Sequence, residues 1–286
     1  MQKLGIIYIC TGKYRIFWKD FYLTSEKYFW PECDKTYYLF TDDFSAIEQK
    51  KNVKLYYHPK IDWPMIALLK WLCICEIQEE LFKCDFVALC NANLLFLREF
   101  HFKEFQQKFL LTYFYDDKEN FTLEQNPKSM AYIPNGEKPE HYIRTGFVIG
   151  KSEDFVKAAR TMRDWTALDY KKGIIPIWHD ESQFNAYVCK SKIPVIYFVH
   201  HQIMPEEYVK DGMQPYAIFR AKSNYGGNDF MRGVKMPLKQ KVKRFIKKII
   251  AILIRIKNAS KLKNSHDSGN SKYMNSKMET CSPWRI

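Results

Sequence analysis

The sequence predicts an α/β fold, a parallel sheet covered by helices, and three observations carry that prediction. Runs of β-formers at residues 3–10, 37–40, Val53–Tyr57 and Phe86–Cys90 alternate with helical periodicity in a βαββαβ order. Phe86–Cys90 is apolar throughout, the pattern of a strand buried on both faces. The 286 residues are 47% hydrophobic and 16% aromatic, enough for one large core, with no repeat or low-complexity stretch to interrupt it.

In chain order, residues 3–10 form a strand that runs into the turn Thr11-Gly12-Lys13-Tyr14. Positions 14, 17, 18, 21, 28 and 29 are apolar at mostly helical spacing and predict a helix over 14–30. The strand 37–40 ends in Thr41-Asp42-Asp43, and Pro64 opens a long helix over 64–83. The section 99–150 is aromatic and turn-rich. It closes on a strand, 142–150, whose Gly146 marks either a close approach by another molecule or a β-bulge.

The strand at Phe86–Cys90 runs into Asn91-Ala92-Asn93. In open α/β sheets the ligand crevice lies beyond the carboxyl ends of the strands. Many sugar-nucleotide transferases carry Asp-x-Asp at this point, two carboxylates that hold a divalent cation against a pyrophosphate. Here both acids are amides, which also suit a plain turn. The first turn fits a nucleotide too: Ile9, Cys10 and Thr11 supply backbone and small side chains, and Tyr14 an aromatic ring, although Tyr14 also reads as a core position.

Residues 178–185, Trp-His-Asp-Glu-Ser-Gln-Phe-Asn, form a second polar centre. Asp180 and Gln183 have capping-box spacing ahead of a helix. A cap leaves Trp178, His179 and Glu181 without a role. In a first helical turn Glu181 is expected to stay ionised, which suits a nucleophile or a cation stabiliser.

Charge divides the chain. Residues 1–231 hold 30 basic and 30 acidic residues, whereas 232–286 hold 15 and 2, so the whole net charge of +13 sits in the tail. A neutral body argues against a nucleic-acid-binding core. Within the tail, residues 238–257 place Val242, Phe245, Ile246, Ile249, Ile250, Leu253 and Ile256 on one helical face and Lys243, Arg244, Lys247, Lys248 and Arg255 on the other. That pattern fits an anionic membrane surface or a helix packed on the body, and its apolar run is too short to span a bilayer. The tail lacks the interleaved aromatics of a nucleic-acid binder. The division predicts a catalytic-type domain over 1–233 and a basic, partly disordered tail over 234–286. Cysteines 10, 33, 73, 75, 84, 90, 189 and 281 show no metal-finger spacing and read as free thiols of a reducing compartment. The N-terminus enters a strand directly, so the expected location is the cytoplasm, with the tail on the inner face of the membrane.

Four blocks occur in one order: Tyr38-Leu39-Phe40-Thr41-Asp42; Asn91-Ala92-Asn93; Phe121-Thr122-x-Glu124-x-x-Pro127-x-Ser129-x-Ala131-Tyr132-Ile133-Pro134; and Trp178-His179-Asp180-Glu181-Ser182-x-x-Asn185. Together, over residues 5–222, they resemble glycosyltransferase family 6, the group of the ABO blood-group transferases and α1,3-galactosyltransferases. The Asn-x-Asn form resembles the bacterial, metal-independent members. The resemblance implies a GT-A-type fold, no metal cofactor, and retaining transfer of Gal or GalNAc from a UDP-sugar to the 3-hydroxyl of a galactoside. It puts Glu181 on the catalytic glutamate and Asp180 on a donor-sugar contact. Thr122, Trp178 and the adjoining His179 fall on the acceptor side. Ile9, Cys10, Thr11 and Tyr14 match the uridine turn, Lys222 a pyrophosphate contact, and Lys70 lies near a basic donor-sugar position. A small residue at Gly146 implies room for an N-acetyl group, while Arg144 is unlike the blood-group pattern. The family's acceptor-side His-Pro is Leu111-Thr112 here, ahead of Phe114-Tyr115, a departure that touches the acceptor. Two other readings stay open: a sugar-nucleotide-binding fold without catalysis, and a basic-tailed membrane or nucleic-acid-binding protein.

Overall fold

The computed structural model describes residues 1–101, 121–134, 137–198 and 201–234, and residues 109–113 as backbone. The predicted tail helix, the 234–286 segment beyond Val234, Phe114 and Tyr115 lie outside the described residues. Residues 1–234 form one compact unit.

The first half is built as the sequence leads one to expect. Strand β1 (Lys3–Ile9) lies between β2 (Asp34–Thr41) and β4 (Phe86–Cys90), with β3 (Val53–Tyr57) outside β2, and all these pairings are parallel. Beyond β4 the direction changes. Strand β7 (Ile143–Lys151) runs antiparallel to β4, followed by β6 (Phe109–Tyr113) and β8 (Ile196–Phe198). The sheet order is β3-β2-β1-β4-β7-β6-β8, a mixed α/β sheet consistent with a GT-A-type fold. A smaller sheet joins β5 (Leu94–Phe96) to β10 (Ala217–Phe219) and β9 (Ile203–Pro205).

Alternation along the strands feeds two cores. On one face Ile6 and Tyr8 of β1 and Ala88 and Cys90 of β4 pack under α1 (Trp18–Tyr28) and its aromatic neighbours. On the other, Ile7, Val87 and Leu89 meet α3 (Lys70–Glu76), α5 (Ser152–Lys171) and α6 (Asp180–Ser191). The first core is unusually aromatic. Phe29 stacks on Phe96 at 4.8 Å and on Phe100 at 5.2 Å and meets Phe147 edge-on at 5.4 Å.

Two expectations change, and one alternative is decided. The helix over 14–30 begins as a 3-10 turn, Gly12–Phe17, and becomes α-helical only at Trp18. The helix over 64–83 is three pieces, α2 (Met65–Leu68), α3 and α4 (Gln78–Leu81), interrupted at Leu69 (ψ −7°) and at Ile77, which leaves helical geometry at φ −106° and ψ 13°. Its Trp, Ile and Cys content gives weak helix propensity, so tertiary contacts decide the backbone. The bulge reading of Gly146 holds: between Leu111 and Thr112 the register on β7 jumps from Val148 to Arg144.

The ring stack under the first core makes a direct prediction. Phe29→Ala leaves a cavity among three rings and should cost about 3–5 kcal/mol. Urea denaturation reads it as a lower midpoint with an unchanged slope. A loss below about 1 kcal/mol would mean that the core collapses to fill the space.

Candidate active site

A cleft of about 250 Å3 opens at the carboxyl ends of β1 and β4. The parallel half of the sheet builds one wall. Strand β1 delivers Ile9 and Thr11 to the cleft, and the turn after it is fixed by Asp42, which accepts from the Gly12 amide at 2.9 Å and pairs with Arg15. Gly12 has a positive φ of 57°, a conformation that glycine adopts without strain. Tyr14 lines the cleft as well, with Lys222 Nζ 5.5 Å from its ring centre. Cys10 is fully buried in the core behind this wall, where burial pushes its thiol up to about 12.

Strand β4 delivers Asn91, Ala92 and Asn93. The Asn91 amide donates to the Gly146 carbonyl at 2.8 Å, and the Leu94 amide to the Asn91 carbonyl at 3.0 Å, which closes the turn. Asn91 is exposed and Asn93 buried. The Asn93 side chain donates to the Arg220 carbonyl at 2.9 Å, and the Arg220 amide returns a bond to Asn93 O at 2.8 Å. Asn93 therefore ties the β4 turn to the residue after β10.

The acidic side rests on a buried ion pair. Lys70 Nζ lies 2.5 Å from Asp180 Oδ2, and Thr145 Oγ1 donates to the same oxygen. This corrects the capping-box expectation: His179, at φ 54°, precedes α6 and makes no side-chain cap, while Asp180 is the first helical residue and faces Lys70. A buried lysine recruits the carboxylate more strongly than free helix amides do, because leaving either charge alone there costs several kcal/mol. The Asn185 side chain accepts from the Ile143 amide at 2.9 Å and donates to the Ile143 and Glu181 carbonyls at 3.0 and 2.8 Å, locking α6 onto β7.

Glu181 also lines the cleft. Tyr142 Oη donates to Oε2 at 3.3 Å, and Arg144 Nη1 stands 3.9 Å from Oε1. Burial pushes its carboxyl up from 4.5 to about 7 against the opposing pull of Arg144, with Asp180 raising it further. That direction runs against the expectation of a permanently ionised group. Desolvation outweighs the helix N-terminus.

The remaining candidates lie off the cleft lining. Trp178 is exposed; its amide donates to Ser182 Oγ at 3.0 Å. The His179 ring stands edge-on to Trp63 at 4.6 Å and is held below its usual pKa by burial. Thr122 is exposed, and neither it nor Trp178, His179, Cys10 or Gly146 lines the cleft. A methyl on Gly146 would meet the Phe219 ring at 2.7 Å and Asn91 Nδ2 at 3.2 Å.

Several lining residues escaped the sequence reading: Lys60, Trp63, Thr145, Met231 and Arg232. Arg232 closes α7 (Asn228–Arg232), which packs on the first turn through Lys13 at 3.0 Å from the Phe230 ring, and its guanidinium lies 4.2 Å from the Trp63 ring. Lys60, Lys70, Lys222 and Arg232 bring cations to the cleft, and burial together with Arg232 lowers the Lys222 pKa. Among the described residues no three His, Cys, Asp or Glu side chains come together as a metal cluster.

Comparison with known proteins agrees with this geometry. Residues 2–215 match the model of glycosyltransferase family 6. The chain is 30% identical over 195 residues to the O-antigen biosynthesis glycosyltransferase WbnI of Escherichia coli, covering 66% of this chain and 83% of that protein. It is 27% identical over 219 residues to histo-blood group ABO system transferase 1 of Rattus norvegicus, covering 73% of this chain and 61% of the relative.

The raised Glu181 carboxyl has a consequence for stability. Between pH 4.5 and about 7 the folded state holds a proton that the unfolded chain releases, so this group lowers stability as pH rises through that window. Glu181→Gln removes the charge. Its unfolding free energy relative to the parent should rise by on the order of 2–3 kcal/mol from pH 4 to pH 8. Denaturation of both proteins across that range measures it, and a flat difference would refute a desolvated carboxyl.

Proposed function

The chain belongs to glycosyltransferase family 6, and on that premise we propose that it is a retaining α1,3-hexosyltransferase that uses a UDP-sugar without a metal ion. The family membership gives a glycosyltransferase with a nucleotide-sugar donor and a glycan acceptor. The observation that carries the finer reading is the lining of the cleft, which joins Lys60, Lys70, Lys222 and Arg232 to Asp180 and Glu181. A UDP-sugar calls for both signs, with a diphosphate that gains charge on leaving and an anomeric carbon that turns cationic.

In this reading Ile9, Thr11 and Tyr14 bind the uracil and ribose, with Cys10 supporting from behind. Asn91 and Asn93 offer amide hydrogen bonds where a metal-dependent relative would offer carboxylates. Neutral amides are weak ligands for Mg²⁺ or Mn²⁺, so the cations of the chain itself stabilise the leaving diphosphate. Asp180, held by Lys70, orients the donor sugar. Glu181 opposes the developing positive charge as nucleophile or ion-pair partner, and Trp178, His179 and Thr122 receive the galactoside. The tail over 238–257 would hold the enzyme on the inner face of a bacterial membrane; among the described residues no helix is long and apolar enough to cross one.

Loss of one oriented electrostatic group costs on the order of 10²–10³ in rate. Glu181→Gln should therefore nearly abolish transfer while leaving UDP-sugar binding intact by calorimetry. A variant keeping most of its kcat would move the catalytic carboxylate elsewhere.

The donor and the metal are tested together. Transfer should proceed unchanged in excess EDTA, and UDP-GalNAc should outcompete UDP-Gal, as the family resemblance at Gly146 implies. A strict Mn²⁺ requirement would overturn the role given to Asn91 and Asn93; preference for UDP-Gal would overturn the donor assignment alone. Gly146→Ala is expected to favour Gal, but it must also displace the Phe219 ring beside the site, so the competition experiment is the cleaner test.

A further inference from the structure

Two buried carboxylates outside the cleft tie separate segments into one surface. Glu124 accepts from the Asn126 amide at 2.8 Å and from the Ile177 amide at 2.7 Å. Asp169, near the end of α5, accepts from Ser129 Oγ and from the Met130 amide, both at 2.8 Å. Lys172 Nζ adds a bond to the Lys128 carbonyl at 3.0 Å. The loop over 121–130 and the connection over 172–178 are therefore held together beside α6.

This surface exposes what a soluble protein normally buries. Tyr170 is 66% exposed, Ile175 49%, Ile177 48% and Trp178 47%, all within nine residues. Isolated exposed apolar residues are ordinary, whereas a contiguous set marks a docking surface. A galactoside stacked on Trp178 accounts for that ring but leaves Ile175, Ile177 and Tyr170 unexplained. The flanking charge is of one sign. Over 121–134 and 168–178 the acids are Glu124 and Asp169, both buried against backbone amides, and the exposed ions are Lys128, Lys171 and Lys172.

We propose that this surface docks on an anionic lipid bilayer. Trp178 and Tyr170 suit the headgroup boundary, Ile175 and Ile177 the edge of the acyl region, and the three lysines the lipid phosphates. Trp178 lies three residues before Glu181, so docking here would bring the rim of the cleft to the membrane, where a lipid-anchored glycan presents its terminal sugar. That consequence rests on the transferase reading; the docking does not. It is also separate from the tail, because every residue that carries it lies before residue 179.

The test uses the full-length chain and sedimentation with vesicles of phosphatidylglycerol and phosphatidylethanolamine, against phosphatidylcholine alone. Ile175→Asp with Ile177→Asp should weaken binding to anionic vesicles about tenfold, with transfer to free lactose unchanged. Lys171→Ala with Lys172→Ala should weaken it about as much and flatten its salt dependence. Brominated lipid should quench part of the tryptophan fluorescence, and Trp178→Phe should lose a share of that quenching beyond what Trp284 of the tail contributes. Parent-like binding by both double variants, or quenching as strong in Trp178→Phe as in the parent, would overturn the proposal. Absence of transfer to lactose in every form, with the vesicle results as expected, would instead sink the transferase reading alone.

Discussion

The site depends first on the buried pair of Lys70 and Asp180, two residues separated by 110 positions in sequence. One partner comes from α3 and the other from the start of α6, with Thr145 of β7 completing the bond. Either charge alone in that interior would cost several kcal/mol, so the elements that carry them are constrained to meet. Once they meet, Glu181 follows Asp180 into the cleft, and Asn185 on the next turn of α6 fixes the angle against Ile143. Trp71, next to Lys70, makes a second join by donating to Gln183 at 3.0 Å.

The environment of Glu181 sets a conflict that the chemistry can use. Burial pushes the carboxyl up to about 7 and so opposes its charge in the resting protein. The same low dielectric strengthens its attraction for a cation forming next to it. Arg144 and Tyr142 moderate the conflict from β7 and the residue before it, one by charge and the other by a hydrogen bond. A fully solvated glutamate would hold its charge without cost and offer little to a cation. Under the proposed transfer, instability of the resting charge and strength in the transition state have one cause.

Much of this was legible in the sequence, and what was missed follows a pattern. Strands Val53–Tyr57 and Phe86–Cys90 appear where the apolar runs place them, because buried strands need only a short local signal. Asn91 and Asn93 could be placed at a strand end for the same reason. The role of Asp180 could not: a capping box is a local pattern, and the lysine that overrides it is 110 residues away. The upward shift of the Glu181 carboxyl was not legible either, since burial is a tertiary quantity. Lys60 and Trp63 sit in an unremarkable loop, and Arg232 falls where a charge count assigns it to the tail, although it closes α7 over the first turn.

Arg232 also shows why a neutral body is a poor guide to a site. Residues 1–231 balance 30 basic against 30 acidic groups, yet the cleft gathers charges of both signs. Its cations come from the loop before Pro64, from Lys70 of α3 and from 222–232, where the chain returns after the last strand; its carboxylates come from the start of α6. Folding thus concentrates charge in one cavity of a body whose total is zero. A uniformly anionic ligand such as a nucleic acid would meet Asp180 and Glu181 as well as the cations. Under the proposed transfer, a molecule with a diphosphate and a sugar about to become cationic meets a partner for each.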